Sequence, residues 1–307
     1  MTDKNMLDII SDFVDAICNN QSFDANSYSE HLIFSKLSGG LMNQMYLIEN
    51  NTNKFVLRIF NTHILSKDYD RINHSSKSLF LNDNYGDQYN LEFDILNIAS
   101  NIGISHKILH EKNNKFILME YFDGCELKNC TSEIINNIMI SLKKLHTSSD
   151  LKNIKSFDPF VDAINTINLY DIKYDVDTLE KISNINKIVH EHNEKYLGFC
   201  HNDFHSGNIL VDKNNKISII DYDYAGKYDI MYDLATFANS MNLNDEQKYM
   251  MLNMYFGEVT DNILKRYKYF MILCYFWNSI WYLSRISQNN EFSNIGLQYL
   301  NKIQELI

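Results

Sequence analysis

An acid at position 203, an amide at 208 and a second acid at 221 are the side chains of this chain best suited to chemistry. Residues 201–208 read His-Asn-Asp-Phe-His-Ser-Gly-Asn, so Asp203 and Asn208 are five positions apart, and Asp221 follows thirteen after Asn208 behind an apolar β-type run. Phosphoryl transfer from a magnesium–ATP complex uses these group types: a carboxylate to orient and deprotonate an attacking hydroxyl, and an amide with a carboxylate to hold the metal. On that reading Asp203 is the base, and Asn208 and Asp221 are ligands for Mg2+. The plainer reading is a β-hairpin, Ile209 to Val211 and Ile217 to Ile220 turned at Asp212 to Lys216, with polar residues at its edges. A lone Asp or Asn fits the plainer reading. Three such groups flanking two apolar runs fit the transfer site better.

The elements that must position these groups can be read from periodicity. Met6, Ile9, Ile10, Phe13, Val14 and Ile17 recur with helical spacing and predict an amphipathic N-terminal helix. Ile33 to Leu37, Met45 to Glu49 and Phe55 to Phe60 read as strands, with a turn at Asn50 to Asn53. Gln88 to Asn101 has helical spacing, and Lys107 to His110 with Lys115 to Glu120 reads as a further strand pair. From Ser132 onward the pattern is mainly helical, broken by the segment 199–221. The fold class expected is α+β. Its parts are a β-rich lobe over 1–120 with one main helix, a hinge over 121–126 where Asp123-Gly124 signals a turn, and a mostly helical lobe over 127–307.

Two further features stand out as residues. Leu37-Ser38-Gly39-Gly40-Leu41-Met42-Asn43 lies between two strands, and glycines there let main-chain N–H groups approach phosphate oxygens. It is neither a Walker A sequence nor a full G-x-G-x-x-G, and a Gly-Gly hairpin turn is the alternative. Arg58 interrupts an apolar strand and shares a face with Val56 and Phe60. A cation among apolar neighbours is costly unless paired; an edge-strand Arg reaching water is the alternative.

With His201-Asn-Asp203-Phe-His-Ser-Gly-Asn208 followed by Ile220-Asp221-Tyr-Asp-Tyr224-Ala-Gly, the chain resembles the aminoglycoside phosphotransferase and choline/ethanolamine kinase group. The resemblance spans about residues 33 to 285 and implies a protein-kinase-like two-lobed fold. Protein kinases carry His-Arg-Asp and Asp-Phe-Gly at these places; Asn202 and Tyr222-Asp223 depart from them toward small-molecule acceptors. The resemblance implies that Ser38, Gly39, Gly40 and Asn43 cradle phosphates. It sets Arg58 opposite the ATP phosphates with Glu92 as its partner, across an insertion at 61–88. It also implies that Glu120 and Tyr121 present main-chain groups to adenine. His201 would orient the loop, His205 would line the phosphate pocket or cap the turn, and Asp233 would brace the loop or act as an ordinary helix N-terminal acid.

For the acceptor, Asp223 and Tyr224 offer an acid and an aromatic face beside the metal ligand. Trp277, Trp281 and Tyr282 belong to one aromatic helix segment, with the two tryptophans four apart on one face. Aromatic faces attract a trimethylammonium group by about 0.5–2 kcal/mol per contact. Choline kinases carry a similar Trp-rich segment, with tryptophans usually three apart; an aromatic core stripe is the alternative. The function expected is transfer of the ATP γ-phosphate to the hydroxyl of an amino alcohol, choline first. The alternatives are ethanolamine, thiamine or an aminoglycoside, or a kinase-like protein that holds nucleotide without turnover.

Composition bounds the remainder. The 307 residues are 45% hydrophobic and 13% aromatic, ample for a sizeable core. A net charge of −11 with a pI near 5.3 argues against a nucleic-acid partner, which wants a basic face, and weakly favours a cationic substrate. The five cysteines have no C-x-x-C spacing and read as reduced thiols. The uncharged run Tyr269 to Leu283, 15 residues, is short for a bilayer span of about 20 and reads as a buried helix. No signal-peptide core appears at the N-terminus. A cytoplasmic protein that does not bind membrane is expected.

Overall fold

The computed structural model describes residues 3–19, 21–24, 32–37, 43–60, 85–112, 115–148, 156–191 and 194–307. Ser38, Gly39, Gly40 and most of the expected insertion at 61–88 lie outside the described residues, as do the side chains of Asn43 and Glu92. The chain divides into two compact units between Asp123 and Gly124.

In the first unit, helix α1 (Asp3–Cys18) precedes strands β1 (Ile33–Lys36), β2 (Asn43–Glu49) and β3 (Lys54–Phe60); helix α2 (Tyr85–Asn101) then leads to β4 (Ile108–Lys112) and β5 (Phe116–Glu120). The sheet runs β1-β2-β3-β5-β4, every neighbouring pair antiparallel. The turn between β2 and β3 is set by Asn50, whose Oδ1 accepts the N–H groups of Thr52 and Asn53 at 3.0 and 2.7 Å, a side-chain mimic of a backbone turn. The apolar stripe of α1 covers one sheet face: Ile9, Ile10, Phe13 and Val14 pack with Ile48, Leu57, Ile59, Phe116 and Leu118. Full burial of one such side chain contributes about 1.5–3 kcal/mol. Residues 56 and 58 face the other way. β3 is the middle strand, so Arg58 is not an edge residue; it is buried beside Ile117 and Met45. The edge-strand alternative for this arginine does not hold.

The second unit begins with β6 (Gly124–Glu126) and continues through α3 (Ser132–His146), α4 (Pro159–Tyr170), α5 (Val176–His190), β7 (Leu197–Cys200), β8 (Ile209–Asp212), β9 (Ile217–Ile219), β10 (Gly226–Asp229), α6 (Ile230–Ser240), α7 (Asp245–Phe256), α8 (Asp261–Leu283) and α9 (Glu291–Gln304). Of the segment expected as a hinge, residues 124–126 form a strand that pairs antiparallel with β8. Strands β8 and β9 make a hairpin, with Asp212 Oδ1 accepting the N–H groups of Asn214 and Lys216, both at 2.8 Å. β7 and β10 pair separately.

Helix α8 is the axis of this unit and buries residues around its whole circumference, among them Phe270, Met271, Ile272, Leu273 and Phe276. That pattern marks a core helix. No described helix is long and apolar enough to cross a membrane. α8 is tied to β10 by Arg266, whose Nε donates to Asp229 Oδ2 at 3.0 Å and whose Nη2 donates to Val189 O at 2.8 Å. Asp229 also caps α6 through the Met231 N–H at 2.9 Å. The five cysteines are free.

Candidate active site

Strand β7 ends at Cys200, and the chain turns sharply at His201 and Asn202. Asn202 has φ 62°, a left-handed conformation that asparagine tolerates better than most residues. This geometry turns two successive N–H groups the same way and makes a small anion-binding concavity. The anion is a side chain of the protein: Asp233 on α6 accepts the His201 N–H at Oδ2 and the Asn202 N–H at Oδ1, both at 2.7 Å. The Asn202 side chain then reaches forward, its Nδ2 donating to Tyr224 O at 2.9 Å. Asp233 therefore braces the loop, one of the two roles open to it from sequence.

His201 joins the two halves of the site. Its ring is fully buried, and Nε2 donates to Ile220 O at 3.0 Å. Burial lowers its pKa below the ordinary 6.5 despite nearby carboxylates, so it is a neutral hydrogen-bond donor rather than a proton carrier. From the other side, the Ile220 N–H donates to Asn208 O at 3.0 Å. The Asn208 side chain closes the ring: Nδ2 donates to Asp203 O at 3.0 Å and to Asp203 Oδ2 at 3.2 Å. These bonds bring positions 203, 208 and 221 together. Asp221 itself is exposed and has φ 64°, another left-handed residue that the surrounding hydrogen bonds hold.

The Asp203 side chain is 36% exposed, open enough to meet a substrate. Burial of the rest would raise its pKa, but His205 and the Asn208 amide outweigh this and hold it below the usual 3.8. The carboxylate is thus ionised and able to accept a proton. His205 caps the short turn 206–208, its Nδ1 accepting the Gly207 N–H at 3.0 Å, which satisfies one of its two expected roles. The proton of the neutral ring then sits at Nε2, 3.6 Å from Asp203 Oδ2. Burial lowers the His205 pKa, and Asp203, with the charges of Asp221 and Glu126, outweighs burial and leaves it raised.

A raised folded-state pKa contributes stability that is fully present below the unfolded value and lost as pH rises through the folded one. In urea unfolding, wild type should therefore exceed His205→Gln by most below about pH 6.5, with the difference fading at higher pH. A difference that does not vary with pH would show that His205 carries no charge here.

The model of one family, described as the phosphotransferase enzyme family, matches residues 33–265. The chain belongs to that family. Among relatives of this phosphotransferase, the protein LicA of Haemophilus influenzae is 26% identical over 233 residues, which is 74% of this chain; the match spans 63% of that protein's length. Among solved structures, a choline/ethanolamine kinase family protein from Mesorhizobium loti superposes with TM-score 0.67 at 16% identity, covering 97% of this chain and 94% of the other. The choline kinase LicA from Streptococcus pneumoniae gives TM-score 0.63 at 17% identity, covering 98% of both chains. The fold is the mixed α+β kinase-like one, and within its family the chain is similar in sequence to LicA.

The remaining expected residues are distributed as follows. Glu120 ends β5 and Tyr121 follows it, and their main-chain N–H groups are bonded within the first unit, to Lys107 O at 2.9 Å and Lys54 O at 3.4 Å; Glu120 O lies 3.2 Å from His106 Nδ1. Tyr224 and Trp277 both pack edge-on against Phe157, at 5.9 and 6.5 Å between centroids. Trp281 and Tyr282 belong instead to a cluster with Phe292 on α9, and the Arg285 guanidinium lies over the Trp281 ring at 4.1 Å. Asp223 is exposed, whereas Tyr222 beside it is buried against His201.

Sequence reasoning passed over Phe157, Arg285 and His146. For His146 a signal existed: it falls in helical register with Ile135, Met139 and Leu142, so a polar ring had to lie on the buried stripe of α3.

Proposed function

We propose that this phosphotransferase moves the γ-phosphate of ATP to the hydroxyl of a small amino alcohol, with choline as the first candidate. The observation that carries the reading is the closed set of hydrogen bonds joining Asp203, Asn208 and the Ile220-Asp221 peptide. Asp203, ionised and partly exposed, accepts the proton of the attacking hydroxyl and holds that oxygen in line.

The site chemistry fits a magnesium ion. Asn208 uses its Nδ2 on Asp203, which leaves the amide oxygen as its acceptor, and Asp221 is an exposed carboxylate. Oxygen donors of this kind suit Mg2+, and Asn208 and Asp221 would hold it. Bound there, the ion supplies charge neutralisation for the phosphates. Because the transition state of such transfers is loose, positioning and charge neutralisation carry most of the rate. In the first unit we assign Ser38, Gly39, Gly40, Asn43, Arg58, Glu92, Glu120 and Tyr121 to the nucleotide. The Glu120 and Tyr121 N–H groups are already bonded and Glu120 O faces His106 Nδ1, so that pair would contribute through the carbonyl lone pairs that remain.

For the acceptor, we assign the cationic head to the aromatic faces around Tyr224 and Trp277, with Asp223 at the rim. Trp281 and Tyr282 pack with Phe292, and Arg285 already covers one indole face, where a second cation would be repelled, so these two residues are left out of this assignment. Trp277→Leu should raise KM for choline up to about thirtyfold with little change in kcat, from about 2 kcal/mol of cation–π attraction. A variant that loses only thermal stability would assign Trp277 to the core alone.

The reading as a whole is tested by ADP release from ATP with choline, ethanolamine, thiamine and an aminoglycoside as acceptors. Choline-dependent release is expected to be fastest. Release with the antibiotic alone would move the function to resistance, and nucleotide binding without release to any acceptor would make the protein a binding module.

A further inference from the structure

We propose that His146 is a positioning residue for phosphoryl transfer, acting through Asp233 on the turn that carries Asp203. The inference rests on the assignment of Asp203 as the base. His146 ends α3 and is buried, and a polar ring is stable there only if its nitrogens are bonded. Nε2 lies 2.9 Å from Asp233 Oδ2, and Nδ1 lies 2.6 Å from Tyr255 Oη on α7. Both Asp233 oxygens already accept main-chain N–H groups, so Nε2 meets Oδ2 as a donor. Nδ1 meets the Tyr255 hydroxyl, which can donate or accept, so both ring nitrogens are bonded.

The direction of every bond to Asp233 follows: His146, His201 and Asn202 all donate to the same carboxylate. Asp233 is held by three donors from two elements besides its own. Without His146, Oδ2 keeps one donor, and the carboxylate can turn. The two N–H groups that set the left-handed Asn202, and with it Asp203, then lose a fixed partner.

A second observation points the same way. A Cβ built at Gly198 on β7 would lie 2.8 Å from His146 O, 3.3 Å from His146 Cβ and 2.7 Å from Ile230 Cγ2. β7 leads into His201, and Ile230 opens the helix that carries Asp233. One glycine thus lets the ends of α3, β7 and α6 meet closely enough for the imidazole to reach the carboxylate.

Cys200 lies in the same group, its Sγ within 4.8 Å of the His146 and Asp233 ligand atoms. A metal does not account for the trio. The thiol faces Tyr228 O at 3.4 Å, burial holds its pKa well up, and the histidine nitrogens and aspartate oxygens have partners.

The test compares kcat, nucleotide Kd and melting temperature for wild type, His146→Leu, His146→Gln and Gly198→Ala, assayed well below each melting point. His146→Leu and Gly198→Ala should lower kcat by up to about a hundredfold, the loss expected when a catalytic group shifts by an ångström, with nucleotide Kd unchanged. His146→Gln, which can still offer an N–H to Asp233, should recover most of the loss. A purely structural role would lower the melting temperature in all three and leave kcat of the folded enzyme alone; that result overturns the proposal. Should His146→Leu fail to fold, Gly198→Ala with a normal kcat overturns it equally. Asp203→Asn run alongside separates the two failures. Its inactivity beside a normal His146→Leu removes this inference only, and its normal activity removes the base assignment and this inference together.

Discussion

Asp203→Asn is expected to lower kcat by about a hundredfold to ten-thousandfold, the range for loss of a positioned general base. Asparagine keeps the shape of the side chain and an oxygen for the Asn208 Nδ2 hydrogen bond, which spans 3.2 Å in the native site. What it removes is the charge and the ability to take a proton. Because the transition state is loose and bond making to the hydroxyl lags, proton removal comes late. The loss therefore reflects orientation and electrostatics as much as basicity. Nucleotide affinity should be unchanged, since Asn208 and Asp221 remain. Steady-state kinetics with calorimetric nucleotide binding checks both parts; a kcat near that of wild type would remove Asp203 as the base.

The second large effect is expected at Asp221. Asp221→Asn preserves the left-handed backbone at φ 64°, because asparagine adopts that region as readily as aspartate. It therefore isolates the carboxylate charge, which Asp221→Ala would confound with backbone strain. Loss of a charged ligand to the metal costs several kcal/mol of charge stabilisation, so a fall of about a thousandfold in kcat at fixed Mg2+ is expected. The activation curve should also move to higher Mg2+ concentration. A kinetic defect with an unaltered Mg2+ curve would contradict the assignment.

The parts of the fold that were legible are those written in local periodicity. The β8–β9 hairpin reads from two apolar runs around Asp212 and Asn215, and the buried α8 from its long uncharged stretch. The amphipathic α1 follows from the spacing of Ile9, Ile10, Phe13 and Val14, though not the sheet face that it covers. Contacts between distant segments were not legible. Gly124 suggested a turn, yet β6 forms because β8, far along the chain, supplies its partner. Arg58 could be put on a face but not on the central strand, since strand order is not a local property. Helical spacing put Trp277 and Trp281 on one face correctly, but their neighbours come from other elements: Phe157 for the first, Arg285 and α9 for the second.

The same division runs through the site. Asp203, Asn208 and Asp221 stand out because chemistry restricts the residue types. The left-handed turn at Asn202 and the Tyr255–His146–Asp233 chain are set by the approach of α3, α6 and α7, which no spacing in one segment reveals.

The most direct test is the binding of Mn2+, standing in for Mg2+, with nucleotide, followed by electron paramagnetic resonance in wild type, Asp203→Asn and Asp221→Asn. If Asp221 carries the metal and Asp203 serves only the acceptor hydroxyl, wild type and Asp203→Asn hold the ion with equal affinity and Asp221→Asn releases it. Equal retention by Asp221→Asn, or release by Asp203→Asn, would contradict that division of labour.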